Sequence, residues 1–190
     1  MLMDAPPEKE DCVPFVTIDE FFDTNGVRVP HIVAKDLEQG FLLLEDFGDV
    51  LLSTQLDDKT VDAHYAQSFK QLIQLQSING EGHFPAYSYE KLMTEMSLLT
   101  DWLLPSLQIQ PSDDESALIK RTFAILANAA LAQPQVIVHR DFHSRNLMLL
   151  ADEQEQGVID FQDAVIGADT YDLISITRDA YVQWNPERVY

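Results

Sequence analysis

At 190 residues, with 46% hydrophobic and 23% charged side chains, the chain has the length and composition of a folded core rather than a disordered segment. A formal charge of −20, from 32 acidic against 12 basic side chains, argues against general affinity for nucleic acid or anionic membrane. The single cysteine, Cys12, excludes an internal disulfide, no stretch approaches a membrane span, and Met1-Leu2-Met3-Asp4-Ala5-Pro6-Pro7 has neither the basic nor the apolar region of a signal peptide, so the cytoplasm is the expected compartment. In chain order, Met1-Leu2-Met3 reads as the end of a strand broken by Pro6-Pro7. Val13, Val16, Phe21 and Phe22 predict a helix over 11–24, stopped by Asn25-Gly26. Segments 29–35 and 41–45 flank a turn-like 36–40 and predict paired strands, with Asp46-Phe47-Gly48-Asp49 as a hinge. The pattern then turns helical over 58–78, over 88–104 with Pro105 as its stop, and from a Ser112-Asp113-Asp114-Glu115 capping box to about 132. Apolar runs at 147–150 and 157–160 around a polar 151–156 predict a hairpin, and 170–184 a last helix.

Chemistry concentrates between Val138 and Asp160, where the chain reads V-H-R-D-F-H-S-R-N-L-M-L-L, a short acidic turn, then G-V-I-D-F. His139, Arg140, Asp141 and Asn146 fit the pattern H-R-D-x-x-x-x-N position for position, with Asp160 placed as the acid after the next strand. Phosphoryl transfer asks a protein mainly for positioning and charge stabilisation. A carboxylate on a short loop can aim a hydroxyl and accept its proton, and Asp141 is the candidate. Mg²⁺ prefers oxygen ligands and keeps several waters, so one amide oxygen and one carboxylate suffice, here Asn146 and Asp160. A phosphate cradle is not evident: Gly80-Glu81-Gly82 is the only G-x-G, and no G-x-x-x-x-G-K-[ST] occurs. The chain is therefore expected to begin inside a nucleotide lobe.

V-H-R-D-F-H-S-R-N-L-M with a following I-D-F-Q resembles the aminoglycoside phosphotransferase superfamily, small-molecule kinases with a protein-kinase-like fold. His143 two positions after the acid, Gln162, and Tyr171-Asp172-Leu173 are further markers. The strings at 3–11, 41–49 and 159–164 are similar to the bacterial anomeric kinases of N-acetylmuramate and N-acetylglucosamine that serve cell-wall recycling. The resemblance implies an α+β fold, with 1–48 a partial nucleotide-binding N-lobe and hinge, and 49–190 a helical C-lobe bearing a catalytic hairpin. It implies ATP and Mg²⁺ as cofactors and a small sugar as acceptor, in an enzyme that is a monomer if complete. Asp141 would be the base toward the anomeric hydroxyl, with Asn146 and Asp160 on Mg²⁺. The backbone of Glu45, Asp46 and Phe47 would meet adenine. Asp172 would brace the catalytic loop, and His139 would be structural. His143 and Arg145 would either approach the transferring phosphate or hold the loop together. Family members are longer at both ends, so truncation is expected. An aminoglycoside or other small-alcohol kinase and a non-catalytic remnant stand as alternatives.

Overall fold

Leu42 and Leu44 are buried while Phe41 and Leu43 are exposed, the two-residue period of a half-buried strand. In the computed structural model, which describes residues 1–151, 155–185 and 187, this strand is β3 (Phe41–Leu44). It is the middle strand of a three-stranded antiparallel sheet. β1 (Leu2–Asp4) pairs on one side, Leu2 opposite Leu43, and β2 (Ile32–Asp36) on the other, with a bulge between Ile32 and Ala34. The apolar opening run is thus a paired strand, as predicted. Gly40, at φ +78°, makes the turn into β3; a Cβ there would lie 2.1 Å from the Ala5 carbonyl oxygen, so no other residue fits.

α1 (Val13–Thr24) carries Pro14 in its first turn, where a missing N–H costs nothing. One face, through Val16, joins Ala5, Cys12, Leu42 and Leu44 under the sheet. The other, through Ile18 and Phe22, joins the main core with Val27, Leu72, Leu75, Phe142, Phe161 and Ile176. Asp19 lies on the same helix, 1% exposed, with Oδ2 buried and unpartnered. Burial, reinforced by Asp23 and Glu20 and opposed by His31, pushes its carboxyl up to about 7. A folded-state value above the free value of 3.8 favours the fold most at low pH, and the contribution is lost as pH climbs through about 7. Asp19→Asn is therefore expected to raise the urea midpoint relative to wild type at about pH 8 and not at about pH 4; equal shifts at both would contradict a titrating Asp19.

A 3₁₀ turn (Leu52–Thr54) leads into α2 (Val61–Ser77), which buries Ser68, Leu72 and Leu75 at helical spacing. α3 (Tyr89–Leu98) continues through a π-helical stretch (Leu99–Leu103) into α4 (Leu104–Ser106). Pro105 stands in the last turn of this helix, which ends one residue later at Ser106, so the predicted stop holds to within a residue. α5 (Asp113–Leu131) opens on the predicted capping box, with Ser112 N–H donating to Glu115 Oε2 at 2.8 Å and Glu115 N–H to Ser112 Oγ at 3.4 Å.

Two strand pairs complete the helical part. β4 (Gln135–Val138) lies antiparallel to β7 (Val165–Ala168), and β5 (Leu147–Leu149) to β6 (Gln156–Val158). β5 and β6 are the predicted hairpin, although residues 152–154 of its turn fall outside the described residues and the second strand ends at Val158. β4 and β7 escaped prediction because their mostly buried residues give no alternation to read. α6 (Tyr171–Thr177) is much shorter than the predicted 170–184. It ends where the Asp179 carboxylate accepts the N–H groups of Ser144 and Tyr181 and pulls the chain off the helical path. No helix among the described residues is long and apolar enough to cross a membrane.

Candidate active site

The catalytic-loop motif lies between β4 and β5, two strands from different pairs, so both ends of the loop are anchored in the core. Its first residues rest on Asp172, the second residue of α6. The fully buried Asp172 carboxylate accepts His139 N–H at 2.7 Å and Arg140 N–H at 3.1 Å. Burial nevertheless raises that carboxyl to about 7, against the pull of both donors. His139 is also fully buried. Its Nδ1 accepts from Asp141 N–H at 3.3 Å, which assigns the proton to Nε2, donated to the Ile159 carbonyl at 3.0 Å. Burial lowers the imidazole to about 4, so it is neutral near pH 7. His139 therefore ties the loop to the end of β6.

Arg140 sits at φ +79° and points away from the loop, donating to Glu95 Oε1 on α3 at 2.9 Å. Its guanidinium lies 5.8 Å from the Tyr87 ring centroid, and Tyr87 hydroxyl in turn donates to the Glu95 carboxylate. Asp141 is left exposed at the bend of the loop. Its backbone carbonyl accepts His143 N–H at 2.9 Å and Asn146 Nδ2 at 3.0 Å. Asn146 Nδ2 also donates to Asp160 Oδ2 at 3.2 Å. Three of the predicted residues, Asp141, Asn146 and Asp160, thus meet around one amide group.

Asp160 lies just past β6 at φ +64°, a left-handed conformation that side chains other than glycine, asparagine and aspartate seldom adopt. Gln162 Nε2 donates to its Oδ1 at 2.8 Å. Of the non-glycine residues with positive φ among the described residues, Gln108, Arg140 and Asp160, two belong to this site, as expected where strain serves positioning. Because Asn146 spends its amide hydrogens on acceptors, its Oδ1 is the atom that could meet a cation. An amide oxygen and a carboxylate suit Mg²⁺, which takes few protein ligands and completes its shell with water and phosphate oxygens. The described residues hold no cluster of three or more His, Cys, Asp or Glu side chains of the kind a metal cage uses.

The predicted hinge residues stand elsewhere. Glu45, Asp46 and Phe47 line an open cleft of about 920 Å³ with Arg28, His64, Leu149 and Leu150; Asp141, Asn146 and Asp160 are not among its lining residues. The Glu45 side chain is committed to Arg28 through bonds of 2.7 and 2.6 Å, which hold its carboxyl down at about 2. Its N–H donates to the His31 carbonyl at 2.8 Å. The Phe47 ring carries Arg28 at 4.6 Å on one face and lies against Gly157 of β6, where a Cβ would fall 2.2 Å from Phe47 Cε2. Gly157→Ala should thus cost about 1–3 kcal/mol by overpacking, read from urea denaturation, and pairing it with Phe47→Leu should recover most of the loss. Failure of Phe47→Leu to compensate would place the strain elsewhere.

Several side chains that fix this geometry gave no sign in the sequence. Gln156 is 1% exposed and joins the hairpin to α2, its Oε1 accepting from Ser68 Oγ at 2.8 Å and its Nε2 donating to the His64 carbonyl at 3.0 Å. Glu95 holds Arg140, and Asp179 holds Ser144. Arg145 is exposed, with its guanidinium 4.0 Å from the Tyr181 ring centroid, and His143 packs on the same ring at 5.0 Å.

Residues 1–190 match the family described as "Phosphotransferase enzyme family", and the chain belongs to that family. It is similar to proteins named N-acetylmuramate/N-acetylglucosamine kinase, at 41% identity over 191 residues in Pseudomonas aeruginosa and 37% over 192 residues in Neisseria meningitidis. These matches take in 100% and 98% of this chain but 56% of each relative, so the chain spans about half the length of the curated relatives it matches. Among solved structures, ADP-bound aminoglycoside phosphotransferase APH(2'')-Ib matches with a TM-score of 0.65 at 20% identity, over 93% of this chain and 62% of that one. APH(3'')-Id from Streptomyces rimosus, in complex with ADP and streptomycin, gives 0.67 at 14% identity, over 98% and 73%. At such identities the likeness establishes the fold, a partial α+β, protein-kinase-like architecture of the aminoglycoside phosphotransferase type.

Proposed function

We propose that this chain carries the catalytic part of an ATP-dependent kinase that phosphorylates the anomeric hydroxyl of N-acetylmuramate or N-acetylglucosamine. The convergence of Asp141, Asn146 and Asp160 carries the reading. In it, the exposed Asp141 carboxylate orients the sugar hydroxyl and accepts its proton. Asn146 Oδ1 and the Asp160 carboxylate would hold Mg²⁺, which when bound offsets the charge of the phosphate oxygens. Arg145 and His143 lie on the same loop, where a cation and a ring N–H can meet the transferring phosphate. The amides of Asp46 and Phe47 are the hinge groups a base would use, since that of Glu45 is taken. β5 joins the two regions: from Asn146 to the cleft-lining Leu149 is about 10 Å at strand rise, a separation suited to the reach from a nucleotide's base to its outer phosphates.

Residues 1–48 then belong to the nucleotide lobe and 49–190 to the acceptor lobe, in a cytoplasmic enzyme of cell-wall recycling. The amino-sugar acceptor is preferred over an aminoglycoside because the relatives bearing the former name are about twice as similar in sequence as the aminoglycoside enzymes. The test is ADP release by the purified chain with Mg-ATP and either sugar, with an aminoglycoside in a parallel assay. Sugar-dependent release supports the reading; release with the aminoglycoside alone moves the acceptor to that class; absence of both counts against a competent enzyme. Asp160→Ala is expected to weaken Mg-nucleotide binding at least about tenfold by calorimetry, and unchanged binding would remove Asp160 from the cation site.

A further inference from the structure

Ser144 is fully buried in the catalytic loop, and its backbone is held on both sides. Its N–H donates to Asp179 Oδ2 at 2.8 Å, and its carbonyl accepts from Ser53 N–H at 2.9 Å. The other Asp179 oxygen accepts Tyr181 N–H at 2.8 Å, which folds the segment after α6 back over the loop. There the Tyr181 ring meets both neighbours of Ser144. The Arg145 guanidinium lies 4.0 Å from its centroid, and the His143 ring packs edge-on at 5.0 Å. An exposed arginine stacked on an aromatic face keeps its charge while losing directions in which to point.

We propose that Asp179 and Tyr181 are positioning residues for the second half of the catalytic loop. Asp179 fixes the backbone at Ser144, and Tyr181 fixes the directions of Arg145 and His143. They complement Asp172, which holds the first half through His139 and Arg140. Asn146 follows Ser144 by two residues and closes the loop on Asp141 and Asp160. Release at Ser144 therefore lets Asn146 move off both partners without removing any group of the site itself.

The kinetic arm of the test rests on the kinase reading; the spectroscopic arm does not. In Asp179→Ala the Ser144 amide should exchange with solvent at least about tenfold faster while those of His139 and Arg140 keep their protection. In Tyr181→Leu, but not Tyr181→Phe, the His143 ring protons should lose the shift imposed by the neighbouring aromatic ring. Unchanged exchange at Ser144, equal acceleration across the loop, or a His143 signal indifferent to Tyr181→Leu overturns the proposal. In turnover, Tyr181→Leu should lower kcat about tenfold with the nucleotide KM within about twofold, as expected of misplacement rather than lost binding. Tyr181→Phe should restore it, and Tyr181→Leu should cost little more in an Arg145→Ala background. Equal damage in Tyr181→Phe, or full additivity with Arg145→Ala, would overturn the role assigned to the ring. A wild-type chain that phosphorylates neither the sugars nor the aminoglycoside counts against the kinase reading, and the exchange and ring-proton results then decide the positioning roles by themselves.

Discussion

Asp141→Asn is expected to lower sugar-dependent ADP release by about 10²–10⁴-fold while leaving Mg-nucleotide affinity within about twofold. The geometry separates these effects. The Asp141 side chain is exposed at the bend of the loop, whereas its backbone carbonyl makes the bonds to His143 and Asn146 that shape the site. An asparagine keeps that backbone and the side-chain volume, and loses the capacity to accept a proton from the acceptor. Asn146 and Asp160, the candidate cation ligands, keep their contact with each other in the variant. Turnover retained within about tenfold would assign the proton to another group or to solvent. Loss of nucleotide binding in parallel would mean that the substitution had disturbed the loop rather than its chemistry.

Asp172→Ala should be the most damaging change to the fold of the site, at about 2–5 kcal/mol in urea denaturation. Its carboxylate is the acceptor for two backbone N–H groups, those of His139 and Arg140, and its side chain is fully buried. Truncation strands both donors where water does not replace the lost acceptor. Such a loss is a large share of the ~5–15 kcal/mol that holds a typical domain together. The deficit should appear with or without nucleotide, unlike that of Asp160→Ala. A change below about 1 kcal/mol would show that the loop amides find other acceptors.

What the sequence disclosed about this site follows a physical rule. The meeting of Asp141, Asn146 and Asp160 was legible because the motif fixes both residue types and their spacing along a single loop and hairpin. The capping box at Ser112 was legible because its partners lie three residues apart. Asp179 and Ser144, Glu95 and Arg140, and Gln156 and Ser68 are joined across 35, 45 and 88 residues, and no local pattern marks them. The predicted continuation of α6 to 184 erred for the same reason: periodicity continued past Thr177, but a distant amide captured Asp179. β4 and β7 were hidden by burial, whereas Pro105 marked the end of its helix to within a residue because the missing N–H acts locally.

The aromatic contacts of α1 make the small sheet and Asp160 parts of one packed unit. Phe161, directly after Asp160, stacks on Phe15 at 5.1 Å and meets Phe22 edge-on at 5.8 Å, while Val16 of the same helix is seated in the core beneath the sheet. The same helix therefore packs against both the sheet and the backbone that sets the Asp160 carboxylate. The position of the acid beside Asn146 is thus set from two directions, by the hairpin that carries it and by the helix beneath the sheet.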